Sequence, residues 1–121
     1  MRDRELLELA AKSVGRFFDF WTDKITDSDS DHHGEAALYK AGVGGQCHSW
    51  NPLIDDYQAL QLAVDLRLDI LQGALNVQVR KSFQVSGKFN QRTHVDVESD
   101  RMSATRRAIV IAAAGIGRDM P

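Results

Sequence analysis

Asp55 and Asp56, with Arg106 and Arg107, are the side chains whose types most suggest chemistry. A carboxylate pair can hold a divalent cation or share a proton when the two groups converge, and arginines receive phosphate. Together the four would suit a nucleotide-like anion carried with its metal. Adjacent helical positions point about 100° apart, however, so Asp55 and Asp56 do not converge without help from elsewhere. Acids at a helix start, complementing its positive end, account for them more simply. One of the arginines then pairs with Asp55 or Asp56 where two helices lie side by side.

His32, His33, Cys47 and His48 have ligand types that suit zinc. Adjacent histidines project in different directions, and no C-x-x-C or H-x-x-x-H spacing supports a closed site. A solvated histidine pair is expected, with no metal and no cofactor. Gly42-Val43-Gly44-Gly45-Gln46 has the glycines of a phosphate loop but lacks the Lys-Ser/Thr that should follow, and it does not open directly into a helix. His94 has no evident nucleophile, no Gly-x-Ser-x-Gly elbow exists, and Cys47 beside His48 is not in itself a dyad. No catalytic residue is therefore assigned. Trp50 precedes a helix, where tryptophan usually anchors the helix to the core. Exposed beside Trp21 or Tyr57 it would instead be a hot spot for a partner. The core anchor is the preferred reading.

These residues need elements to place them. Leu6, Leu7, Ala10, Ala11 and Val14 mark one face of a helix from about Arg4 to Val14, with Asp3 as its cap and Gly15 as its end. The aromatic run Phe17 to Thr22 reads as a strand, Thr26 to Gly34 as part of an exposed loop near 24–36, and Ala37 to Lys40 as a short strand. A second helix begins near Pro52, with Asp55 and Asp56 in its first turns or capping a slightly later start. Leu53, Tyr57, Leu60 and Val64 form its apolar stripe, widened by Ala59 and Ala63. From Leu68 the period falls to two. Leu75, Val77 and Val79, then Thr93, Val95 and Val97, alternate with polar residues as strands of an antiparallel meander, with Gly73 and Gly87 as turns. The last helix starts at Ser99 or Asp100 and runs to about Gly115 or Gly117. The order α-β-β-α-β-β-β-α fits an α+β fold, an antiparallel sheet covered by helices.

The length of 121 residues suits one domain spanning 1–121. A net charge of -2 argues against a broad nucleic-acid footprint, which needs clustered Lys and Arg to displace counterions. Cys47 stands alone, so no disulfide forms within the chain, as suits a reducing cytoplasm. The charges of Arg2, Asp3, Arg4 and Glu5 do not read as a signal peptide. The longest apolar run, Ala108 to Ala114, is far short of the roughly twenty residues of a membrane span. A soluble cytoplasmic protein with no membrane partner is expected.

Three blocks resemble a known family. Trp50-Asn51-Pro52-Leu53 with the acids Asp55 and Asp56, the helical run Ala59-Leu60-Gln61-Leu62-Ala63-Val64, and Ala104-Thr105-Arg106-Arg107-Ala108-Ile109-Val110 are similar to the phage ABA sandwich domain. This is a group of small bacteriophage and prophage proteins related to the NinX type. Leu6, Leu7, Ala10 and Ala11 fit the family's opening, and Ala112 to Ala114 with Ile116 and Gly117 fit its end. The chain departs at Ile54, where relatives often carry Thr, and at Tyr57-Gln58, where they often carry Gly-Asp. Gly73 to Gln91 has no counterpart. The resemblance implies an α/β/α sandwich, with helices on both faces of the sheet, and a family without a settled biochemical function.

These readings lead to a non-enzymatic phage accessory protein that binds a host or host-defence macromolecule in the host cytoplasm. Trp50, Asn51, Asp55, Asp56, Arg106 and Arg107 form its candidate binding surface. A nucleotide-like anion at the acids and arginines is the alternative, and zinc at His32, His33, Cys47 and His48 a second. Because at least two faces of the last helix are apolar, the surplus face is covered either by the other helices and the loop around Trp50 or by a second copy in a homodimer, and the homodimer is the preferred reading.

Overall fold

A computed structural model describes residues 2–24, 34–41, 47–81 and 93–121. The elements run α1 (Asp3–Ser13), β1 (Phe20–Thr22), β2 (Ala37–Ala41), β3 (Cys47–Trp50), α2 (Asp56–Leu66), β4 (Leu68–Gln72), β5 (Asn76–Lys81), β6 (Thr93–Asp96) and α3 (Arg101–Asp119). The α+β class holds. Instead of one sheet there are two, ordered β1-β2-β3 and β4-β5-β6, both antiparallel. The strand that the sequence pattern misses is β3, because Cys47-His48-Ser49-Trp50 has no alternation of apolar residues. Its pairing to β2, with Leu38 opposite Trp50, makes it a strand.

Leu6, Leu7, Ala10 and Ala11 are the buried face of α1, as their spacing predicts. Asp3 is not the cap: Arg2 holds that position without a side-chain bond, and Asp3 lies in the first turn. The other end is a Schellman turn, in which Gly15 (φ 69°) and Arg16 donate backbone N–H groups to the Lys12 and Ala11 carbonyls. Helices α1 and α3 run side by side in one direction. Arg107 meets Asp3 near one end, and Lys12 Nζ donates to the Met120 carbonyl at the other. Gly117 is where their backbones come closest, since a Cβ there would fall on the Leu9 carbonyl. The lack of a side chain thus sets the helix spacing.

One hydrophobic core joins all three helices to both sheets, with Leu38 and Trp50 entering from the first sheet and Val77 and Val79 from the second. Residues Asn76, Gln78 and Arg80 alternate onto the opposite face of β5, half-buried, where Arg80 pairs with Asp69 at 3.3 Å. In the β4–β5 turn, Gly73 N–H donates to the Asn76 carbonyl.

One expectation about helix faces changes. In α2 the buried residues are Ala59, Leu62, Ala63 and Leu66, while Tyr57, Leu60 and Val64 are 71%, 58% and 65% exposed. The helix carries two apolar sets at helical spacing. The short connection through Arg67, in the left-handed conformation (φ 53°), turns the Leu62–Leu66 side inward as β4 begins. In α3, Ala108, Ile109, Val110, Ala113, Ala114 and Ile116 are buried within the chain, and Ile111 and Ala112 pack against the same core. The neighbours α1, α2 and the second sheet cover most of its apolar surface, while Ile111 and Ala112 remain half-buried.

Lys24, Gly34 and Glu35, at the margins of the expected loop, are exposed. The intervening stretch with His32 and His33, the Gly42–Gln46 loop, the turn at Gly87 and the side chains of Cys47 and His48 lie outside the described residues. Among the described residues, no helix is long and apolar enough to cross a membrane.

Candidate functional site

Asn51 organises the junction between β3 and α2. Its side chain is buried, with Oδ1 accepting from Leu53 N–H at 3.0 Å and Nδ2 donating to the Ala36 carbonyl at 2.8 Å. The first bond is an Asx turn, which bends the chain through Pro52 and Leu53. The Asn51 carbonyl accepts from both Ile54 and Asp55, closing the turn before the helix starts. Helix α2 therefore begins at Asp56 rather than near Pro52, and Asp55 is its N-cap, its Oδ1 accepting from Gln58 N–H at 2.9 Å. The Gln58 side chain closes the junction by accepting from Asn51 N–H at 2.7 Å and donating to the Ser49 carbonyl at 3.1 Å.

Arg106 reaches this turn from α3. Its Nε donates to the Leu53 carbonyl at 2.8 Å and its Nη1 to Asp56 at 2.7 Å, and its side chain is only 16% exposed. One guanidinium thus fixes the turn and the start of α2 against α3, the structural clamp that side-by-side helices imply. Arg107 points elsewhere and meets Asp3 at 3.4 Å. Trp50 is 4% exposed and stacks on Phe18 with ring centroids 5.2 Å apart. It is a core anchor.

The six candidate residues therefore divide. Trp50, Asn51, Asp55, Asp56 and Arg106 meet in one junction, and Arg107 stands apart at α1. Buried Trp50 and Asn51 do not present a contact surface. Asp55 caps a helix, and Asp56 and Arg106 bind each other, so these groups are engaged with one another rather than converging on an open anion or cation site. Among the described residues, no three His, Cys, Asp or Glu side chains gather to hold a metal ion.

Removing the buried Asn51 side chain takes the partner from two half-buried backbone groups, so Asn51→Ala should cost about 1–3 kcal/mol in thermal or urea unfolding. Asp56→Ala should cost less than about 1 kcal/mol, because its carboxylate is 62% exposed and its pairing is screened by water.

No protein-family model matches the chain, and comparison with curated proteins and with solved structures returns no match. What distinguishes the surface is the outer stripe Tyr57, Leu60 and Val64. With Leu53, these residues are the apolar stripe that helical spacing assigns to α2. The second set at Ala59, Leu62, Ala63 and Leu66 is the signal that either face could turn outward.

Proposed function

We propose that this chain is a non-enzymatic binding module that engages another protein, in the role of a phage accessory protein acting on a host or host-defence component in the host cytoplasm. The exposed stripe Tyr57, Leu60 and Val64 carries this reading. Three large apolar side chains one helical turn apart form the kind of surface that a partner covers, and tyrosine is a frequent hot-spot residue. Asp56 and Asp65 lie exposed near the two ends of the stripe. An antiparallel second copy would set Asp56 of one chain near Asp65 of the other, a like-charge contact that disfavours self-association through this face. A partner with an apolar patch and a basic rim fits better.

Tagged wild-type protein and Leu60→Asp, each incubated with host lysate, test the proposal. The wild type should retain a protein that Leu60→Asp loses, while the variant's melting temperature stays within a few degrees because Leu60 is outside the core. Retention by both proteins would contradict the assigned surface. No retained partner, together with turnover of a nucleotide by pure protein, would contradict the binding reading. Light scattering should give a monomer mass; a dimer mass abolished by Leu60→Asp would make the second copy the occupant instead.

A further inference from the structure

Beyond the α2 stripe, and resting on the protein-binding reading, we infer that a groove between α1 and the segment entering β1 takes a short acidic segment of a partner protein carrying an apolar anchor. The groove has a volume of about 390 Å3. Its walls combine Phe17, Phe20 and Trp21 with Arg4, Lys12 and Arg16. Phe17 is 79% exposed and Phe20 is 51% exposed, a placement that burial among the described residues does not explain.

The groove is held in shape by its own contacts. The Schellman turn at Gly15 fixes the direction in which Arg16 and Phe17 leave α1. Phe20 stacks on Tyr39 at 5.4 Å with the rings 9° from parallel, and Trp21 Nε1 donates to Asp23 at 2.7 Å. Aromatic walls set by such contacts lose little freedom when a ligand enters.

Charge selects the ligand. Arg4 pairs with Glu8 at 2.8 Å, and Lys12 donates to the Met120 carbonyl, which leaves Arg16 as the basic group most open to a visitor. Three cations face two carboxylates, Glu8 and Asp19, along the walls. That small positive excess suits one carboxylate beside an apolar side chain. A single-stranded nucleic acid would need a track of cations for successive phosphates, which these walls do not supply.

Panning a random dodecapeptide library on the purified full chain tests the inference. Selected peptides should share Asp or Glu next to Leu, Ile or Phe, and synthetic copies should bind Phe17→Ala and Arg16→Glu about tenfold more weakly than wild type. Both positions are exposed, and unchanged melting curves would confirm that the variants fold. Leu60→Asp should bind the peptides as well as wild type does, which separates this groove from the α2 stripe. Absence of a shared motif, or equal binding by Phe17→Ala, would overturn the inference. Oligothymidylate binding that is lost in Arg16→Glu would also overturn it, in favour of nucleic acid.

Discussion

Gly117→Val is expected to destabilise the protein by about 3 kcal/mol or more, because any Cβ at this position falls on the Leu9 backbone. The clash involves the Leu9 carbonyl, with Ser13 N a further neighbour at 3.3 Å, so no side-chain rotation relieves it. Relief requires α1 to move away from α3, opening the contact that buries Leu7, Ala10 and Ala11. Gly115, two residues earlier in the same helix, makes the matched control. Apart from its own stretch of helix backbone, nothing described lies within 4 Å of its would-be Cβ, so Gly115→Ala should gain up to about 1 kcal/mol from helix propensity. Urea unfolding of the two variants should therefore shift in opposite directions.

The second large effect is at Trp50. Trp50→Ala removes a buried ring that stacks on Phe18 and sits opposite Leu38, and should cost about 3–5 kcal/mol. Trp50→Phe keeps an aromatic face toward Phe18 and should recover a large part of that loss. If Trp50 were a partner hot spot rather than an anchor, Trp50→Ala would leave stability nearly unchanged and abolish binding instead.

Much of the helical framework was legible because its apolar residues fall on one side. In α1 a single face is apolar and Gly15 ends it, so both the helix and its buried residues follow from spacing. Helix α3 is apolar nearly all round, which signals burial on several sides. Whether the cover comes from the same chain or from a second one depends on the neighbours, and α1, α2 and the second sheet supply most of it, leaving Ile111 and Ala112 half-buried. Helix α2 carries two apolar sets, and periodicity cannot choose between them. The choice is made by the turn at Arg67 and by close packing through Ala59 and Ala63. Strand β3 was hidden because its identity comes from pairing with β2 rather than from its own pattern.

The site was legible to a similar degree. Helix-start acids and an arginine clamp follow from position, but spacing could not say that Arg106 and Asp56 are the pair while Arg107 turns to Asp3. Asn51 was visible only as a residue beside Trp50. Its role depends on the Ala36 carbonyl and on Leu53 N–H, brought together by the fold.

Photo-crosslinking in bacterial cells tests most directly the claim that the outer face of α2 is where the protein meets its partner. A photoreactive residue is placed at Leu60 in one variant and, as a control, at exposed Asp100 beside the start of α3 in another. Irradiation should yield a discrete covalent adduct with a second protein from position 60 and none from position 100. No adduct at position 60, or the same adducts from both positions, would contradict it.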